Sequence, residues 1–230
     1  MMRYAGFWLA LLVFVTNAAI SGYAKGNVVI GYAHVLDGDT ADIDGKRVRF
    51  FGIDAPELSQ SCVDAAGRSW QCGQEARGRL MELTQGKVVT CTYEEADATG
   101  RLLGSCKVAG RDINGILVAE GLAWAFVRYS DVYLVTERQA RAERKGIFAA
   151  KNVTAWDYRA ERWHKSTAET QTGASKGCPI KGNVSASGEH IYHMPWDRYY
   201  AATKIDTTKG ERWFCDEADA EKAGWRRAYR

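Results

Sequence analysis

Hydrophobic and polar positions along the chain fall into two textures. From residue 27 to about 150 the runs are alternating or periodic and contain one proline, Pro56. Residues 28–36, 40–43 and 47–53 are rich in β-branched and aromatic side chains and are bounded by turn residues, which predicts three strands. Asp37-Gly38 and Asp44-Gly45 are the turns, because Asp-Gly is a strong short-range hairpin signal. The period then changes. Ala76, Leu80 and Leu83 recur at i, i+4 and i+7, predicting a helix over 72–83. Residues 87–93 and 102–108 read as two more strands. A short helix over 113–120 is capped by Asp112 and stopped by Gly121, and a longer one over 132–145, with most of its charges on a solvated face, ends at Gly146. This order is α+β, mainly β, and fits a five-stranded OB-fold barrel with three helices.

Beyond residue 150 the pattern weakens. Residues 165–177 are rich in Ser, Thr, Ala and Gly, a linker composition. Residues 178–230 are aromatic-rich but too few to rely on a large core, so a covalent staple is expected. At the other end, Arg3 precedes an uncharged run over 4–20, and Gly22 and Ala24 occupy the −3 and −1 positions of a cleavage site. The run is short for a membrane span, which favours removal over the alternative, retention as an uncleaved anchor. The expected division is therefore a signal peptide over 1–24, a barrel domain over 25–150, a helix and linker over 151–177, and a small C-terminal module over 178–230. The product is exported, periplasmic or secreted.

All six cysteines lie beyond that cleavage point, and an even count in an exported chain predicts disulfides. Pairing neighbours in sequence gives Cys62–Cys72, Cys91–Cys106 and Cys178–Cys215. The last pair has a rival, a zinc site made with His190 and His193. Its spacing matches no common finger, and the compartment favours the disulfide. The chain has 230 residues, 46% hydrophobic and 26% charged, which argues against global disorder and a multi-pass membrane protein. Net charge is +3, concentrated after residue 150. Bulk charge does not mark a nucleic-acid binder, so that reading has to rest on a site.

The stretch that carries chemistry is short: Asp37-Gly38-Asp39-Thr40, then Arg49 through Asp54-Ala55-Pro56-Glu57. If the first strand turns at Asp37-Gly38 and the third ends at Ile53, Asp39 and Asp54 approach one another. Converging carboxylates repel unless a cation lies between them, and oxygen-only ligands favour a hard ion, Ca²⁺ or Mg²⁺. Glu57 is placed to hold or deprotonate a water. Arg49 and Arg101 offer guanidinium forks suited to phosphate oxygens. Together these are the parts of a phosphodiester-cleaving site. Arg68 and Trp70, in the loop over 58–73, either add a phosphate contact and a base stack or simply decorate a stapled surface loop.

From about residue 31 to 148 the chain resembles the staphylococcal nuclease-like (thermonuclease) family. The markers are Asp37-Gly38-Asp39-Thr40, Arg49-x₄-Asp54-x-Pro56-Glu57, Gly73-Gln74-Glu75-Ala76, Gly100-Arg101-Leu102-Leu103, and Asn114 followed by Gly121-Leu122-Ala123. The resemblance implies an OB-fold barrel and Ca²⁺-dependent endonuclease chemistry on DNA and RNA, leaving 3′-phosphate ends. It implies Asp39 and Asp54 as calcium carboxylates, Ala55 as a main-chain ligand and Glu57 as the residue acting on water. Arg49 and Arg101 would grip the scissile phosphate. Two departures concern nucleotide binding: Ala98-Thr99 replaces an expected Lys-Tyr pair, and Val127 replaces one of two tyrosines while Tyr129 remains. The C-terminal strings 211–218 and 223–227 resemble a short module called sunset, which implies no activity. No stable protein partner is expected, and the protein is read as a monomer. The rival functions are a non-catalytic OB-fold binder of nucleic acid or envelope, and a calcium-binding envelope protein.

Overall fold

The computed structural model describes residues 1, 27–169, 175 and 177–228. The signal-peptide expectation over 1–24 lies outside them apart from Met1. Strands β1 (Asn27–Gly31) and β2 (Ala33–Val35) are separated by Tyr32 alone, where one unbroken strand was expected. The break has a topological cause. After β3 (Thr40–Ile43), β4 (Lys46–Phe50), β5 (Ile53–Asp54), and the short pair β6 (Cys62–Val63) and β7 (Ser69–Trp70), helix α1 (Cys72–Thr84) leads into β8 (Val89–Ala96) and β9 (Leu102–Val108). The main sheet pairs in the order β1-β8-β9-β4-β3-β2. One edge therefore ends in β1 and the other in β2, one residue apart in sequence. Such a sheet has to curl to bring its two edge strands near one another, giving a half-barrel in which β1 and β2 are not paired to each other. A two-residue strand, β10 (Arg111–Asp112), adds to β9, so the sheet has seven strands rather than five.

The β3–β4 hairpin turns at Asp44 and Gly45, both with positive φ (50° and 72°), as an Asp-Gly turn between twisted strands requires. β4 and β9 run parallel, with Arg49 opposite Leu103. Arg101 immediately precedes β9, two residues before Leu103, so the two-residue strand period brings both arginines to one face of the sheet. Helix α2 (Ile113–Ala119) starts at Asp112, whose carboxylate accepts the Gly115 N–H. Its Asn114 is fully buried, donating to the Phe51 and Gly104 carbonyls and accepting the Cys106 N–H. That side chain ties the chain after β4 to β9. Inside the curl, Ile43, Val48, Phe50, Ile53, Leu80 and Leu117 are almost wholly buried.

β11 (Trp124–Ala125) pairs with β5, setting Trp124 opposite Asp54. Helix α3 (Leu134–Ala142) follows, and then α4 (Ala155–Glu169), so residues 165–169, which read as linker, continue a helix instead. Trp124, Ile147, Phe148 and Ala155 form a second core, on which Trp70 and Trp156 pack. The C-terminal part is a four-stranded sheet in the order β14 (Arg212–Phe214), β12 (Ile180–Val184), β13 (His190–His193), β15 (Arg226–Arg227), with helix α5 (Glu217–Lys222). Ile180, Tyr192, Met194, Phe214 and Trp225 make its core.

The disulfides are Cys62–Cys72, Cys91–Cys106 and Cys178–Cys215. The zinc alternative fails accordingly: both its cysteines are oxidised, His190 stacks on Trp225 and His193 Nε2 bonds Asn183 Oδ1 at 2.9 Å. Among the described residues, no helix is long and apolar enough to cross a membrane.

Candidate active site

The site begins with a turn. The Asp39 N–H donates to Asp37 Oδ1 at 3.1 Å, folding 37–39 back on itself. Gly38 is required here by space: a Cβ would stand 2.7 Å from the Ala55 Cβ and 2.8 Å from that of Ala76. The turn therefore lies directly on the 54–57 segment and on α1. The contact is sealed by the Ala55 N–H donating to Asp39 Oδ2 at 2.9 Å. Gly73 performs the same service for Glu57, since a Cβ there would meet the Glu57 carbonyl oxygen at 1.8 Å. We expect Gly73→Ala to cost about 1–3 kcal/mol by forcing α1 off the Glu57 backbone. A thermal melt unchanged from the parent would refute that close approach.

Two buried carboxylates converge on one guanidinium. Arg49 Nη1 bonds Asp39 Oδ1 at 3.1 Å and its Nη2 bonds Asp54 Oδ1 at 2.6 Å. Asp39 is 3% exposed and Asp54 0%. Burial pushes the Asp39 carboxyl up to about 7, against the pull of Arg49 and with repulsion from Asp37 and Asp54. Burial also disfavours the Arg49 cation, but Asp39 and Asp54 outweigh it and raise its pKa.

A second guanidinium completes the network. Arg159, on α4, bonds Asp54 through Nη1 (3.1 Å to Oδ1) and Nη2 (2.8 Å to Oδ2), and its Nη1 also bonds Glu57 Oε1 at 2.9 Å. Sequence reasoning missed it, because 102 residues separate it from Glu57. A signal was present: Trp156, Arg159, Ala160 and Trp163 fall at i, i+3, i+4 and i+7, one helical face with a charge set among aromatic rings.

Arg49, Glu57, Arg101, Tyr129 and Arg159 line a groove of about 800 Å³, with Trp163, Met194 and Trp196 among the residues of its C-terminal wall. Asp39 and Asp54 lie behind the guanidiniums rather than on its surface. Arg101 does not join them; its Nε and Nη2 each hold Asp97 Oδ2 at 2.7 Å. Burial works against the Asp97 carboxylate, but Arg101 and the Thr99 hydroxyl more than offset it and hold it below the usual range. Tyr129 is exposed, its ring 5.0 Å from Phe126, which stacks on Trp156. Val127 is also exposed. Arg68 is paired to Asp64 and Trp70 packs on the core, and neither lines the groove, so the 58–73 loop reads as a stapled surface element.

The donor set suits a hard cation. Among the described residues, no group of three or more His, Cys, Asp or Glu side chains could hold a metal alone. What stands here is two carboxylates, all-oxygen, with guanidiniums in the place of a cation. Hard ions fill the rest of their shell with main-chain oxygens and water.

Residues 47–150 match the family model for staphylococcal nuclease homologues. The chain is 34% identical over 154 residues to the succinoglycan biosynthesis protein ExoI of Rhizobium meliloti, covering 65% of this chain and 77% of that one. It is 33% identical over 133 residues to an uncharacterized endonuclease of Escherichia coli, covering 54% and 80%. It is 32% identical over 168 residues to a micrococcal nuclease of Shigella flexneri, covering 65% and 88%.

Proposed function

The chain belongs to the staphylococcal nuclease family, and from that membership together with the groove we propose that it is an exported, Ca²⁺-dependent endonuclease that hydrolyses DNA and RNA to 3′-phosphate ends. The observation that carries the proposal is the convergence of Asp39, Asp54 and Glu57 with Arg49 beside a groove that also holds Arg101. A surface that only binds nucleic acid gains nothing from three carboxylates at its centre, because they repel the phosphates it has to attract.

Asp39, Asp54 and the Ala55 main-chain oxygen are the residues assigned to the metal, which when bound would polarise the phosphate and position water. Glu57 takes a proton from the attacking water as its oxygen bonds to phosphorus. The P–O5′ bond breaks, and the 5′ oxygen leaves and acquires a proton from solvent. Arg49 and Arg101 offset the charge that builds on the non-bridging oxygens, and preorganised donors of this kind are worth about 10²–10³ in rate each. Tyr129 presents a ring to the nucleotide at the groove's edge. The enzyme acts as a monomer, with the signal peptide over 1–24 removed, the catalytic domain over 25–150 and the small module over 178–230 retained.

Digestion of DNA and RNA by residues 25–230, with calcium and then with chelator, tests the reading. Cleavage that stops with chelator, returns with calcium and leaves 3′-phosphates supports it. Tight binding with intact substrate in both conditions would make the barrel a scaffold instead.

A further inference from the structure

The family match ends at residue 150, yet the acidic centre is closed by a side chain nine residues further on. We propose that Arg159 is a positioning residue of the nuclease site. Its guanidinium orients Asp54 and Glu57 and competes with the divalent cation for them, so it sets the metal concentration at which the site fills. The inference rests on the function proposed above and adds to it a residue from outside the matched segment.

Geometry supports both halves. Arg159 meets Asp54 as a fork, one nitrogen to each oxygen, and the same Nη1 reaches Glu57. The carboxylate assigned to the metal and the carboxylate assigned to water are thus held in fixed relative orientation by one planar group. The fork also covers both oxygens of Asp54, which has no exposed surface of its own. A cation approaching Asp54 from the groove has to displace it or share an oxygen with it.

Charge points the same way. Asp39, Asp54 and Glu57 already outnumber the two guanidiniums that hold them, and Asp37 adds a further negative charge beside Asp39 and Arg49, so removing Arg159 leaves a cluster one unit more negative for a metal to meet. The helix that carries Arg159 is anchored and cannot simply drift. Trp156 stacks on Phe126, Tyr158 and Ser59 hydroxyls stand 3.0 Å apart, and Gln60 donates to the Val153 carbonyl at 2.8 Å. Gln60 also accepts the Glu57 N–H, so the loop after Glu57 and the start of α4 form one frame. Within that frame the side chain, not the helix, has to yield.

Calcium binding to residues 25–230, measured by calorimetry without nucleic acid, tests the proposal. Arg159→Gln is expected to tighten the calcium constant by about tenfold or more, and Arg159→Lys, which keeps the charge but loses the fork, by a smaller factor. Folding of each variant is checked by circular dichroism, and if the Gln variant does not fold the Lys variant decides. A calcium constant unchanged or weakened in a folded variant overturns the role of Arg159 while leaving the nuclease reading intact. Parent and variants that all fail to bind calcium, alongside cleavage insensitive to chelator, would remove the metal-dependent reading and this inference with it.

Discussion

Asp54→Asn is expected to lower cleavage by about 10³-fold or more, the largest loss of any single change in the site. Asp54 is held by both guanidiniums. It accepts Arg49 at 2.6 Å and the Arg159 fork at 2.8 and 3.1 Å, and it is wholly buried. An amide of the same shape offers one acceptor oxygen instead of two and turns an NH₂ group toward a cation. The metal assigned to this position loses an anionic ligand at the same time. Two half-buried arginines are then left with less negative charge than they were folded around, and breaking a buried ion pair on one side typically costs about 3–5 kcal/mol. The variant should therefore be less stable as well as inactive, with urea unfolding and a cleavage assay reading the two losses separately. Calcium should no longer raise its melting temperature. Activity within tenfold of the parent would mean that Asp54 is only a structural anchor.

The parts of the site that were readable from sequence are those that one short stretch of chain assembles. Asp37-Gly38-Asp39 announces a turn by its own chemistry, and Asp54 through Glu57 announce a strand end, so their convergence needed only the assumption that neighbouring strands pair. Arg49 opposite Thr40 in the register follows from the same hairpin. Arg159 obeys no such local rule. A lone arginine on a helix is ordinarily a solvated charge, and only the docking of α4 on Phe126 and Ser59 turns its face inward.

Two fold features were hidden for a related reason. The interruption at Tyr32 follows from β1 and β2 belonging to opposite edges of a curled sheet, whereas the local sequence favours one continuous strand. Residues 165–169 have linker composition, but they extend a helix already nucleated and packed, and propagation costs far less than nucleation. The cysteine pairing lay within reach, because sequence neighbours happen to be spatial neighbours. Cys91 and Cys106 face each other across β8 and β9, and Cys62 and Cys72 close the short loop before α1.

Arg101→Ala should give the opposite profile to Asp54→Asn, a large catalytic loss with an almost unchanged fold. Its partner Asp97 sits in the turn before β9, and the two side chains are 23% and 20% exposed. Partly solvated pairs of this kind contribute about 1 kcal/mol or less to stability. Catalysis is another matter. Asp97 occupies the Nε–Nη2 edge of the guanidinium, and the adjoining Nη1–Nη2 edge is a second fork of the geometry that suits a phosphate. Asp97 therefore aims the group without exhausting it, and alanine removes a preorganised donor from the groove at a cost of about 10²–10³ in kcat. Because the charge is needed most as the phosphorus becomes five-coordinate, the loss should fall on kcat more than on KM. Arg101→Lys separates charge from shape: recovery of only a small part of the rate would assign the effect to the fork, and full recovery to charge alone. An alanine variant that cleaves as fast as the parent would take Arg101 out of the catalytic machinery altogether and leave its ion pair with Asp97 as its whole purpose.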